Sequence, residues 1–135
     1  MTQATPFLMF QGGTAEAALS FYAETVPDSR IESIERFGAD GPGPEGTILR
    51  AVAVIAGQRV MAHDSFITHG FDFTPSWSIF LDCRDRAEFD RLFDLLSSGG
   101  AVLMPADDYG WSARFAWVSD RFGISWQLNL ERGHG

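Results

Sequence analysis

Few side chains in this sequence are equipped for chemistry, so the first question is whether their spacing lets any of them act together. His63, Asp64 and His69 form the one compact cluster of potential metal ligands. Two imidazoles six residues apart, with a carboxylate between, could take zinc or iron, but no helix fixes them as an HExxH repeat would. The other reading is a surface loop with solvated imidazoles. His134 sits in a glycine-rich tail. Asp107 and Asp108, ahead of Tyr109, could work as an acid–base pair only if buried together in a cleft. Their context, PADDYG, has the composition of a polar turn. Cys83 would need a histidine beside it to act as a nucleophile and reads instead as a small buried hydrophobe. Gly41, Gly43 and Gly46 satisfy the pattern GxGxxG. That fingerprint must open a helix whose amides hold a pyrophosphate, whereas Pro42 and Pro44 interrupt it here and the strand-like TILRAVAV follows. Trp111, Trp117 and Trp126, close together near the end of the chain, imply a thick core or an aromatic pocket wall.

Composition narrows the field further. A chain of 135 residues fits one domain. With 45% hydrophobic and 21% charged residues it is neither disordered nor membrane-spanning, since no apolar run approaches the roughly 18 residues a bilayer helix needs. The net charge of -8 opposes binding to nucleic acid and to anionic membranes. All 10 basic residues are arginines, which removes Schiff-base chemistry and P-loop nucleotide chemistry, both built on a lysine amine. The opening MTQATPFLMF lacks the pattern of a secretory signal and the single cysteine forms no intrachain disulfide, so a cytoplasmic protein is expected.

The elements that must position these residues repeat once. Thr5 to Gln11 is a short apolar run; Thr14 is a candidate N-cap for a helix over Ala15 to Thr25, which Pro27 ends. Strands follow at Arg30 to Phe37, Ile48 to Ile55 and Arg59 to His63. The same order returns with a strand at Trp77 to Asp82 and a capping box from Asp85 to Glu88. That box opens a helix carrying Phe89, Leu92, Phe93 and Leu96 on one face. Gly99 and Gly100 stop the helix before strands at Ala101 to Met104, Arg114 to Val118 and Ser125 to Leu130. The prediction is α+β: two β-α-β-β-β modules, Thr5 to His63 and Trp77 to Leu130, in one domain over residues 1–130 with a tail at 131–135. Gly38 to Gly46 should be a mobile loop of the kind that covers sites. The link from His63 to Ser76 carries Phe66, Phe71 and Phe73, which should pack over the sheet or against another subunit.

Read together, TPFLMFQGGTAEAALSFY, GPGPEG and WVSDRFGISWQLNL give the chain a resemblance to the vicinal oxygen chelate superfamily of glyoxalase I, extradiol dioxygenases and bleomycin-resistance proteins. It is most similar to the PhnB-like subgroup often labelled 3-demethylubiquinone-9 3-methyltransferase. The resemblance covers Thr5 to Leu130 and implies curved antiparallel sheets around a cavity, with a homodimer as the usual assembly. In many relatives a divalent metal is held at four positions that align with Phe7, Met61, Ser78 and Gln127 here. Phenylalanine and methionine are not ligands for a hard metal. The resemblance therefore implies a metal-free and cofactor-free binding protein for a small organic molecule, with a site drawn from Phe7, Met9, Met61, His63, Ser78, Phe80, Trp117 and Gln127. It identifies no catalytic residue. The alternative it leaves is an enzyme, either a methyltransferase or a metal-dependent lyase, isomerase or dioxygenase using His63.

Overall fold

The computed structural model of the chain describes residues 1–133. His134 lies outside the described residues. Ten elements run in the order β1 (Phe7–Gln11), α1 (Ala15–Thr25), β2 (Arg30–Arg36), β3 (Ile48–Ile55), β4 (Gln58–Ser65), β5 (Ile79–Asp82), α2 (Arg86–Ser97), β6 (Ala101–Asp107), β7 (Arg114–Ser119) and β8 (Ser125–Leu130). They form two compact units, Met1–Asp72 and Phe73–Gly135. Each contains one four-stranded sheet and one helix, with the β-α-β-β-β order predicted from the repeat.

The two sheets share one topology: β1-β4-β3-β2 in the first unit and β5-β8-β7-β6 in the second. The last three strands of each unit are antiparallel neighbours, as expected, and the first strand joins in parallel with the last, β1 on β4 and β5 on β8. Both sheets are therefore mixed. The cause is the helix between the first and second strands, a crossover that allows a parallel partner where a hairpin would not.

Strand alternation sends Leu8 and Phe10 of β1 and Val60 and Ala62 of β4 to the face covered by α1, where all four are buried. From the helix, Ala15, Ala18, Leu19 and Tyr22 complete this core. Val26, extended, caps α1 by donating to the Tyr22 carbonyl before Pro27. In the second unit Phe89, Leu92 and Leu96 of α2 are buried, with Leu81, Val118, Trp126 and Leu128 in the sheet. Phe93, expected in that core, is half-buried at its margin.

The capping signals are satisfied in different ways. Asp85 accepts from the Glu88 amide at 2.8 Å as a capping box requires, while the Glu88 carboxylate returns to the Arg84 amide, one residue earlier than the motif specifies. Thr14 occupies the N-cap of α1 without a side-chain cap hydrogen bond. That work falls to Asp64 of β4, whose carboxylate accepts from the Ala15 amide at 2.9 Å and the Ile48 amide at 2.8 Å. A buried carboxylate shared by a helix start and a strand start ties three segments that are distant in sequence.

Gly38 to Gly46 is a connection without helix or strand, closed at its base, where Phe37 donates to Thr47 and Gly46 donates to Phe37, each at 2.9 Å. It wraps the buried Phe37 ring closely enough that a Cβ on Gly43 would sit 2.8 Å from it. No helix follows the three glycines, so the GxGxxG match builds no phosphate cradle. No helix of the described residues is long and apolar enough to cross a membrane.

Candidate functional site

In each unit the expected site residues lie on the sheet face away from the helix. On the first sheet Phe7 stands opposite Met61 and Met9 opposite His63 in the parallel register, so four of the expected site residues share one face. Val52 of β3 is aligned with Met61 and extends that face by one strand. Phe7 is 53% exposed although it sits in a strand, and its ring lies 5.6 Å from the His63 imidazole at 48°. The third β1 residue on this face, Gln11, is held at both ends: its Nε2 donates to the Phe71 carbonyl and its Oε1 accepts from the His69 amide. That amide latch draws the strap after β4 back against the end of β1. On the strap His69 stacks on Phe71, with ring centroids 4.9 Å apart, and lies 3.0 Å from Ser65 Oγ.

On the second sheet one row runs across the strands. Phe80 of β5 is aligned with Gln127 of β8, Gln127 with Trp117 of β7, and Trp117 with Met104 of β6. An amide thus stands between two aromatic rings, with a thioether beyond. Phe80 is 52% exposed, matching Phe7 of the first unit. One step along the face, Ser78 Oγ and Ser125 Oγ are 2.6 Å apart, the Trp117 indole donates to Ser125 at 2.8 Å, and Gln127 Nε2 donates to Ser78 at 3.4 Å. Met104 was not foreseen as part of this face. A register shift between Val102 and Met104 turns it there, and no periodicity rule reveals a bulge in advance.

Other expectations separate in space. His63, Asp64 and His69 do not converge, because alternation turns His63 to the open face and Asp64 to the helix face, while His69 belongs to the strap. Among the described residues no group of three His, Cys, Asp or Glu side chains is placed to hold a metal ion. Pro105 to Asp107 of the expected turn instead end β6, and the connection starts at Asp108, which accepts from Gly110 and pairs with Arg132, interactions that hold its carboxyl below the ordinary range. The three tryptophans divide into a buried Trp126 whose indole donates to Asp120, a half-buried Trp117 on the open face, and an exposed Trp111 stacked on Tyr109. Cys83 is buried, which pushes its thiol up to about 12.

Similar proteins give this geometry a family. The family described as 3-demethylubiquinone-9 3-methyltransferase matches residues 2–129. The chain belongs to that family. It is 43% identical to a PhnB protein of solved structure from Bacillus cereus, with 96% of this chain and 99% of that one covered and a TM-score of 0.91. It is 26% identical to the YjdN protein of Escherichia coli strain K12, over 93% of each chain. A glyoxylase/bleomycin resistance protein/dioxygenase domain from Frankia, at 13% identity, shares the fold with a TM-score of 0.66 over 100% of this chain and 96% of that one. The fold of this family member is thus that of the vicinal oxygen chelate superfamily.

The divalent metal that the resemblance implies does not fit the four positions it aligns here, Phe7, Met61, Ser78 and Gln127. Of the four aligned positions, Phe7 offers only ring carbons and Met61 a soft thioether, while the Ser78 hydroxyl and Gln127 amide are already bonded to each other. A hard cation needs several oxygen or imidazole donors, and these two neutral groups do not supply them.

Proposed function

We propose that this protein binds a small, largely apolar organic molecule through the open sheet faces. Phe7, Met9, Met61 and His63 serve on the first face, and Ser78, Phe80, Trp117 and Gln127 on the second. The observation that carries the reading is the matched half-exposure of Phe7 and Phe80, each in a first strand of its unit and each beside the residue aligned with a superfamily metal ligand. Aromatic rings standing clear of the core next to isolated amide and hydroxyl groups are the usual make-up of a ligand surface. The family description points to methyl transfer, whereas what supports binding here is the pair of half-exposed rings beside amide and hydroxyl groups.

The rest of the reading follows from other residues. Two copies associate, because Phe66, Ile67 and Phe71 leave apolar area exposed on the strap. The location is cytoplasmic, since a single buried thiol has no need of an oxidising compartment. The test is a thermal-shift screen of aromatic and amphiphilic compounds, followed by calorimetry on the hits. Hits that lose at least tenfold in affinity in Phe7→Ala or Trp117→Ala support the reading. Hits indifferent to both substitutions would remove it.

A further inference from the structure

Hydrogen-bond accounting on the open face of the second sheet leaves one proton without an acceptor, and that proton defines a ligand head group. The Trp117 indole is only a donor, so Ser125 Oγ must accept from it. Ser125 is 1% exposed, and its own proton needs a buried acceptor; Ser78 Oγ, 2.6 Å away, is in place to accept it. The opposite polarity, Ser78 donating to Ser125, would strand the Ser125 proton in the core, which is the more costly arrangement. The chain therefore runs from Trp117 to Ser125 to Ser78. Ser78 also accepts from Gln127 Nε2, which fills its two lone pairs and leaves its proton to be donated outward. Ser78 is half-buried, and among the described residues this proton has no acceptor.

The surroundings determine what such an acceptor can be. Trp117, Ser125, Ser78 and Gln127 are uncharged, and the row beside them supplies Phe80 and Met104. Asp82, two residues beyond Phe80 on the same face of β5, is an anion aligned with Asn129. Arg114 of β7 is engaged with Asp90 and the Phe89 ring of α2. At this cluster a carboxylate or phosphate would meet only the neutral donors of Trp117, Ser125, Ser78 and Gln127, which do not offset the cost of desolvating its charge. We infer that this face, read as the ligand-binding surface proposed above, selects a flat ring bearing a neutral oxygen acceptor, an aryl carbonyl, stacked along Phe80 and Trp117 with its oxygen on Ser78.

Three probes of one shape test this in the full chain: 2-acetylnaphthalene, 2-naphthoate and 2-ethylnaphthalene, titrated by calorimetry. The ketone should bind about tenfold or more tightly than the carboxylate, and Ser78→Ala should weaken the ketone about 5- to 10-fold more than it weakens the hydrocarbon. Ser78→Thr, which retains the hydroxyl, should restore ketone binding. The infrared carbonyl stretch of the bound ketone should lie lower in the wild type than in Ser78→Ala, a readout that a general loosening of the fold would not produce. Equal binding of ketone and carboxylate, or a ketone affinity and stretch indifferent to Ser78→Ala, overturns the head-group inference while hydrocarbon binding sensitive to Trp117→Ala leaves the surface itself standing. Failure of all three probes to bind overturns both.

Discussion

Asp64 shows how a chemically capable residue can be spent on the fold. Its two carboxylate oxygens satisfy two backbone amides, one opening α1 and one opening β3, in a site only 3% exposed. Asp64→Ala leaves both amides without a partner and should destabilise the protein by about 3 kcal/mol; Asp64→Asn keeps one acceptor and should lose about half as much. Urea denaturation midpoints in the order Asp, Asn, Ala would confirm the account, and equal midpoints for all three would refute it. The sequence places Asp64 between two histidines, as a potential ligand or a residue of a solvated loop; only the register of β1 on β4 reveals which way it points. Cys83 follows the reading its composition suggested. Burial, then repulsion from Glu88, raises its thiol from 9.0 to about 12 in the folded chain. Between those values the unfolded chain releases a proton that the native one retains, so this residue's contribution is complete below pH 9 and declines as pH rises towards 12. Cys83→Ala should flatten that alkaline decline in melting temperature, and native wild-type protein at pH 8 should resist iodoacetamide until it is unfolded.

At the scale of elements, periodicity and punctuation carried the order of all ten, because each helix has a single apolar face and each junction holds Gly, Pro or Asp. Two features depended on tertiary pairing and were hidden. The parallel placement of β1 and β5 follows from which edge is free after the antiparallel strands have paired, and Trp77 and Ser78 fall short of β5 although their side chains look strand-like. Of the candidate site, alternation correctly grouped Phe7 with Met9 and Gln127 with Ser125, because a period of two is a local property. The Gln11 latch to the strap was illegible, since a glutamine's partners 58 and 60 residues away leave no local signal. The β3–β4 hairpin also departs from its sequence signature. Ala56 and Gly57 make its two-residue turn with φ of 49° and 83°, a turn that favours Asn-Gly. Ala56 is exposed, and alanine in this left-handed conformation costs about 1 kcal/mol, a cost that Asn largely escapes. Ala56→Asn should therefore raise stability by about 0.5 to 1 kcal/mol without altering ligand binding. A destabilised Ala56→Asn variant in thermal or urea unfolding would mean that the turn is not under this strain.

The whole molecule presents an imbalance that one chain does not resolve. Its net charge of -8 keeps it dispersed in water, yet Phe66, Ile67 and Phe71 crowd apolar side chains into a strap of a few residues, Phe71 at 64% exposure. The strap is not loose: Gln11 holds its backbone at two points, Ser65 binds the Ile67 carbonyl and amide, and Phe66 meets Phe37 edge-on at 5.8 Å. Fixing a backbone in place while leaving its apolar side chains in water sacrifices chain entropy without the gain of burial, which makes sense if the surface is preorganised for a partner. A second copy of the chain is the simplest such partner, since one surface then serves both sides of a two-fold interface. Sedimentation at micromolar concentration should accordingly give about twice 14.9 kDa, and the melting temperature should rise with protein concentration, because association stabilises the folded state by mass action. Ile67→Asp with Phe71→Asp should yield a folded species of 14.9 kDa whose melting temperature no longer depends on concentration. A wild type that sediments as a single chain at every concentration would leave the strap's apolar side chains to a ligand or to a different protein.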